Sequence, residues 1–327
     1  MFDEDSFIRD CMSPLASPDG AANFTDDAAH IAPPSGKLVV TGDTIIAGVH
    51  FLADEDPGLI AQRAIRVNVS DLVAKGAQPW GYVLHLSVPA NTADGFGPAF
   101  AAGLALDHET YGLQLFGGDT TVVPETAPLS LSITMMGQAP DREPLLRSGA
   151  EDGDVIFVSG NIGDAALGLL VARGDPMPGI GAEHLSALEQ GYRLPQPPVG
   201  LQPAISKHAS AAMDISDGLV GDLERLCAAS GVSARLTAAK VPMSDAVKAA
   251  IEADPSLLKV ALTGGDDYQS LIVVPLEESI AFARDALATG VPVTAIGTCG
   301  EPPVEVVTVD REGHDIRFET TRYTHRG

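Results

Sequence analysis

Leu113-Gln114-Leu115-Phe116-Gly117-Gly118-Asp119-Thr120 is the stretch on which the reading of this chain turns. An apolar run of strand character stops at two glycines, and an aspartate follows at once. A carboxylate just past a strand end points into a cleft rather than into a core. Working outward, aspartates beside glycine, serine or threonine recur at Thr25-Asp26-Asp27, at Thr41-Gly42-Asp43-Thr44 after the apolar run Leu38-Val39-Val40, and at Asn68-Val69-Ser70-Asp71. They return at Asp214-Ile215-Ser216-Asp217-Gly218 and at Gly264-Gly265-Asp266-Asp267. Any one of these alone reads as an Asx-turn or a helix N-cap. Together, converging in one fold, they would hold hard divalent cations such as Mg²⁺, whose usual work between aspartates is to carry phosphates.

Composition bounds that reading. The 327 residues are enough for two domains with real cores, and 45% hydrophobic against 20% charged residues marks a folded globular chain. Acidic residues outnumber basic ones 44 to 20, a net charge of −24, which argues against nucleic acid or an anionic membrane as partner. The same charge opposes an anion such as ATP unless divalent cations come with it. Cys11, Cys227 and Cys299 are scattered and imply neither a disulfide framework nor a CxxC metal site. No apolar run approaches membrane-spanning length and the N-terminus is acidic, so a cytoplasmic protein is expected.

Periodicity predicts alternating strands and helices in two units. Strands are expected at Lys37–Thr41, Trp80–Val88, Gln114–Phe116 and Leu129–Gly137, with helices at Leu59–Lys75 and Gly95–Tyr111 after a short N-terminal helix. Ala139–Gly153 reads as a crossing that divides the chain into residues 1–140 and 141–327. Beyond it, Asp154–Ser159 is a strand that turns through Gly160-Asn161-Ile162-Gly163 into a helix at Ala165–Ala172. Prolines and glycines between 174 and 200 predict at least one long loop. Ala211–Ile215 is a strand, and Ser216-Asp217 is expected to cap the helix that runs to about Ser230. Strands at Ser233–Leu236, Tyr268–Val274, Val293–Gly297 and Val304–Val309, with a helix at Glu277–Leu287, complete a mixed α+β domain.

There is no Walker A motif, no HExxH and no GxSxG. Gly160–Gly163 is the nearest thing to a phosphate loop, and an ordinary strand-to-helix turn fits it equally. His50 lies a short loop beyond Asp43. Arg147, at the crossing of a chain with few basic residues, suits a phosphate clamp. Asp214 and Asp217 sit near one helix N-terminus, where two carboxylates repel unless a cation lies between them.

These motifs, in order, resemble the thiamine-monophosphate kinase family, of the superfamily that includes aminoimidazole ribonucleotide synthetase and selenophosphate synthetase. They are Asp-Asp-Ala-Ala, Thr-Gly-Asp-Thr with Gly-Val-His-Phe, Asn-Val-Ser-Asp-Leu, Gly-Gly-Asp-Thr, Arg-Ser-Gly-Ala, Asp-Ile-Ser-Asp-Gly-Leu and Gly-Gly-Asp-Asp-Tyr, from about Asp26 to Tyr268. The resemblance implies a two-domain α+β fold like that of aminoimidazole ribonucleotide synthetase. Residues 1–140 would bind metal and ATP and pair in a homodimer, and 141–327 would complete the active site. It further implies Mg²⁺ ligands at Asp27, Thr41, Gly42, Asp43, Asp71, Asp119, Asp214 and Asp217. ATP contacts would fall at Gly118, Asp119, Arg147 and Ser216. Contacts to thiamine monophosphate would fall at His50, Asp266 and an aromatic in the tail, Tyr323 in preference to Phe318. Asp43, Asp71, Asp119 and Arg147 would carry the catalysis.

Two departures stand out. Asp266 is one methylene shorter than the family's usual Glu, and Gly42 replaces a hydroxyl residue. Selenophosphate synthetase would need a reactive cysteine in a mobile N-terminal loop, a context that Cys11 lacks. Aminoimidazole ribonucleotide synthetase would not carry Gly-Val-His-Phe with Gly-Gly-Asp-Asp-Tyr. A non-catalytic ion-binding protein would show local EF-hand-like loops, and none is present.

Overall fold

The computed structural model describes residues 2–18, 20–21, 24–140, 143 and 145–323. The chain divides into two units, Met1–Leu72 with Ala77–Asp141, and Val73–Gly76 with Arg142–Gly327. The first begins with a short helix α1 (Glu4–Phe7), whose N-cap Asp3 side chain accepts from Ser6 N. It continues with β1 (Leu38–Ile46), α2 (Pro57–Ala74), β2 (Gln78–Pro89), α3 (Phe96–Tyr111), β3 (Gln114–Val123) and β4 (Ser130–Gln138). The four strands form one sheet in the order β1-β4-β2-β3, with β2 and β3 parallel and the other pairs antiparallel. One face is apolar and buried through Tyr82, Leu84, Leu86, Leu131, Ile133 and Met135. Helix α2 comes within reach of β4 where Leu72 lies opposite Gly137.

Two strands are longer than their sequence suggests. β1 continues past Thr41 through Asp43 to Ile46, and β3 continues past Phe116 through Gly117-Gly118-Asp119 to Val123. Glycine and aspartate disfavour strands locally, but continuous pairing with a neighbour overrides that preference. Gly118 is needed for that pairing, because a Cβ there would stand 1.8 Å from Leu84 O on β2. Gly118→Ala is therefore expected to cost about 1–3 kcal/mol, read as a lower urea midpoint with an unchanged slope. An unaltered midpoint would show that β2 and β3 can separate without penalty.

The second unit is a six-stranded sheet in the order β10-β7-β9-β5-β8-β6. Its elements are β5 (Val155–Ser159), α4 (Asp164–Ala172), α5 (Ala182–Arg193), α6 (Gln202–His208), β6 (Ala211–Ile215), α7 (Leu219–Ser230) and β7 (Ser233–Thr237). Then come α8 (Asp245–Ala253), α9 (Leu257–Thr263), β8 (Gln269–Val274), α10 (Ser279–Ala288), β9 (Val293–Gly300) and β10 (Val306–Val309). A main core joins Ile156, Met213, Leu223, Leu271 and Ile296, and Phe318 packs against it. A smaller one joins Leu167, Leu188, Val247 and Ala261 across α4, α5, α8 and α9. The Pro- and Gly-rich stretch expected to contain at least one long loop has loops at 173–181 and 194–201, and between them a three-turn helix, α5, whose Leu188 and Tyr192 are buried. Among the described residues no helix is long and apolar enough to cross a membrane.

Candidate active site

The aspartates singled out in the sequence do not all lie in loops. Asp43 and Asp119 are within strands β1 and β3, Asp214 is within β6, and Asp71 is within helix α2. The expectation of a position past a strand end is corrected for Asp43 and Asp119, because of the same extension of pairing that lengthens β1 and β3, whereas Asp71 and Asp214 lie in the helix and the strand expected to hold them.

In the first unit, Thr41, Asp43 and Asp71 come together. Strand alternation puts Thr41 and Asp43 on one face of β1, and Thr41 Oγ1 donates to Asp71 Oδ2 at 2.5 Å from β1 to α2. Asp43 is open to solvent on one side. Partial desolvation, then the charge of Asp71, then a hydrogen bond with it, push the Asp43 carboxyl up to about 6. Hard oxygen donors crowded so closely suit a divalent cation, whose charge would relieve that strain. Gly42 stands opposite Thr134 on β4 and contributes only backbone. At the end of β1, Ile46 N donates to His50 Nδ1 at 3.2 Å, which leaves the ring proton on Nε2.

Asp119 is apart from this group. It stands in one register row with His85, Ser132 and Thr44, whereas Gly118 shares the row of Leu84, Ile133 and Asp43. β1 and β3 are the two edges of the sheet, so their aspartates stand three strand spacings, roughly 14 Å, apart. Asp27, Gly118 and Asp119 line a pocket of about 230 Å³ together with Phe24, Leu84 and Phe116. Asp27 is exposed there, and its N–H donates to Asp26 Oδ1 at 2.8 Å.

In the second unit, the turn between β6 and α7 carries Asp214, Ser216 and Asp217. Asp214 is buried at the end of β6. Ser216 and Asp217 do not cap α7. The N-cap is Gly218, and the side chain of Asp222, one turn inside the helix, accepts from Ser216 N and Asp217 N. Nor is Asp217 left facing Asp214 uncompensated, since Arg225 pairs with it. Burial pushes the Asp222 carboxyl up to about 6 against those hydrogen bonds.

Two further segments meet this turn through three backbone hydrogen bonds. Asp266 N donates to Ser216 O at 2.9 Å, Tyr268 N to Ile215 O at 2.8 Å, and Tyr323 N to Asp217 O at 2.9 Å. Asp266 and Tyr268 both have positive φ, and the Tyr268 hydroxyl donates to Asp266 Oδ1 at 3.2 Å. Gly265 must be glycine, because a Cβ would lie 2.2 Å from Ser216 O. Backbone strain of this kind concentrates at ligand clamps. The turn thus gathers Ser216, Asp217, Asp266 and Tyr323, while Phe318 is taken up by the core. Arg147 is exposed, its backbone fixed by Ser230 Oγ donating to Arg147 O at 3.1 Å.

Gly160–Gly163 is not an open phosphate loop. The buried Asp267 carboxyl accepts from Gly163 N at 2.9 Å and Ala165 N at 3.3 Å, filling the α4 N-terminus with a group of the chain itself. Burial pushes Asp267 up to about 8. The Asp-Asp pair therefore divides its labour: Asp267 caps a helix, and Asp266 faces the Ser216 turn. Asp222 and Arg225 escaped the sequence reading, and Asp267 and Tyr268 entered it only as members of the Gly-Gly-Asp-Asp-Tyr motif. For Asp222 and Arg225 the available signal was an Asp-x-x-Arg pair inside the helix that follows the motif.

Two AIR synthase-type domains define the class. The AIR synthase related protein N-terminal domain matches residues 25–139 and the C-terminal domain matches residues 151–310. The chain is 39% identical to a thiamine-monophosphate kinase of Caulobacter vibrioides, over 97% of this chain and 89% of that one. The solved structure of thiamine-monophosphate kinase from Stenotrophomonas maltophilia K279a superposes with a TM-score of 0.80 at 34% identity, covering 91% of this chain and 94% of that one. A structure of AaThiL complexed with AMPPCP and TMP superposes with a TM-score of 0.76 at 30% identity, covering 91% of each chain. The chain belongs to the thiamine-monophosphate kinase family.

Proposed function

We propose that the chain transfers the γ-phosphoryl group of ATP directly, in line, to the phosphate of thiamine monophosphate, giving thiamine diphosphate. The observation that carries this reading is the cluster of Thr41, Asp43 and Asp71, hard oxygen donors of the kind that gather around phosphate-bound Mg²⁺. The family relationship and the relative solved with an ATP analogue and TMP support it.

The acceptor is itself a phosphate, ionised at neutral pH because its second pKa is about 6. No general base is required, which agrees with the absence of a catalytic His or Lys among the motifs. What the chain supplies is position and charge. His50 offers its Nε2 proton to the substrate, with Asp266 and Tyr323 as further substrate contacts. Arg147, Ser216 and the Gly118 backbone hold ATP. Asp27, Thr41, Gly42, Asp43, Asp71, Asp119, Asp214 and Asp217 would hold the cations. Several Mg²⁺ ions, when bound, would supply the neutralisation that a chain of −24 cannot itself give to two phosphorylated substrates.

Assembly belongs to the same reading. Strands β1 and β3 of the first unit are 9 and 10 residues long, well beyond the stretches Lys37–Thr41 and Gln114–Phe116 that the sequence suggested, and β2 and β4 are 12 and 9. The argument for a dimer lies instead in the two edge strands. In a two-fold pairing that closes the sheet, the β1 edge of one protomer meets the β3 edge of its partner. The β1 edge of one protomer and the β3 edge of its partner then share a seam, which brings Asp43 and Asp119, separated within one chain, to one inter-protomer boundary. A cytoplasmic location is part of the same proposal, in keeping with soluble nucleotide and thiamine phosphate as substrates.

The test is a phosphoryl-transfer assay with thiamine monophosphate and with free thiamine. Product is expected from the phosphate ester alone, since the alcohol of thiamine would need a base that the site lacks. Configuration at phosphorus is expected to invert with a chiral γ-thiophosphate donor. Consumption of ATP only with free thiamine, or a trapped aspartyl phosphate, would refute the mechanism.

A further inference from the structure

The turn that carries Ser216 and Asp217 is held by two residues that no motif marked. Asp222 is wholly buried, and its Oδ2 accepts from Ser216 N at 3.0 Å and from Asp217 N at 2.9 Å. Its Oδ1 accepts from Arg225 Nη1 at 3.2 Å. The same Nη1 lies 2.5 Å from Asp217 Oδ2. One guanidinium nitrogen therefore bridges two carboxylates, one buried and structural, the other about a quarter exposed. Because Asp222 also fixes the N–H of Asp217, the backbone of that residue stays in place whether or not Arg225 keeps its grip on the side chain.

We propose that Asp222 and Arg225 are positioning residues for the Ser216–Asp217 turn, with Arg225 acting as a resident counter-ion on Asp217 that an incoming divalent cation displaces. The inference rests on the reading of Asp217 as a cation ligand. A cation arriving at Asp217 meets a carboxylate already held by Arg225, and the guanidinium falls back on Asp222, to which it is already bonded. This bridge keeps the turn from collapsing around an uncompensated charge before the ion arrives. It also lowers the affinity for the ion, because the ion must replace an existing pair. The pair is partly exposed, so the competition is modest, in the range of a surface ion pair.

The test is Mn²⁺ binding to the full-length protein without nucleotide, followed by electron paramagnetic resonance, with thermal unfolding to check the fold. Arg225→Gln is expected to tighten one site about fivefold, and Arg225→Lys, which keeps the charge, to restore wild-type affinity. Asp217→Asn should remove that site, and Asp217→Asn with Arg225→Gln should match Asp217→Asn alone. Asp222→Asn can still accept from both backbone N–H groups but not from Arg225 as well. It throws the guanidinium onto Asp217, so the ion should bind more weakly. If Asp217→Asn removes a site while Arg225→Gln leaves its affinity unchanged or weaker, the counter-ion role is wrong and the ligand role of Asp217 stands. If Asp217→Asn removes no site, the ligand role falls and this proposal falls with it.

Discussion

Asp71→Asn is expected to cut the rate of thiamine diphosphate formation at least roughly 10²-fold while leaving the thermal transition unchanged. Asparagine keeps the shape of the side chain and can still accept from Thr41 Oγ1, so the tie between β1 and α2 survives. What it removes is one negative charge from the donors proposed to hold the phosphate-bound cations. The same substitution carries a second readout in the resting protein. Two of the three causes that raise Asp43 come from Asp71, its charge and its hydrogen bond, so the Asp43 carboxyl should fall back from about 6 toward its ordinary range. The sign follows from the cause: a neighbouring anion disfavours a second ionisation, and its removal restores it. Near-normal turnover at saturating Mg²⁺, in a variant whose Asp43 has shifted as expected, would remove Asp71 from the catalytic set. An unshifted Asp43 would instead show that the two carboxyls are not neighbours in solution.

Much of the fold was legible in the sequence because periodic apolar spacing reports burial directly. Helices α2 and α3 and strands β2, β4, β5 and β6 stand within a residue or two of where that spacing puts them. The failures share a cause. β1 and β3 were cut short at Gly42 and Gly117, where local preference says turn. There the register with β4 and β2 carries the strand onward through the very aspartates the motifs mark. α5, α8 and α9 went unread because each is short and set among prolines or glycines. What makes them helices is their shared core of Leu188, Val247 and Ala261, contacts distant in sequence.

At the site, residue identities were legible and their partnerships were not. Nothing in Asp-Asp-Tyr says that the second acid caps α4 while the first meets the Ser216 turn. Likewise, the motif Asp-Ile-Ser-Asp-Gly-Leu does not announce that its backbone is gripped by a carboxylate four residues beyond its glycine. Both facts are products of chain reversal, which a linear motif does not contain.

The separation of Asp43 from Asp119 leads to the other large effect. If one site takes Asp43 from one protomer and Asp119 from its partner, two inactive variants should rescue each other. Asp43→Ala and Asp119→Ala homodimers each lack a ligand at both sites, and each should lose at least roughly 10²-fold in rate. A mixed dimer is different. One of its sites draws both defects, and the other draws the intact Asp119 of one chain and the intact Asp43 of its partner. Random exchange of equal amounts makes half the dimers mixed, each with one sound site of two, so activity should recover to about a quarter of wild type. The recovery should follow the rate of subunit exchange and be absent from mixtures kept below the dimer dissociation time. If the two aspartates instead served one site within a single chain, each mixed dimer would carry one defect in every site. Mixing would then restore nothing. Full activity of a protein that light scattering shows to be a monomer would overturn the trans arrangement by a separate route, since a lone sheet keeps its two edges roughly 14 Å apart.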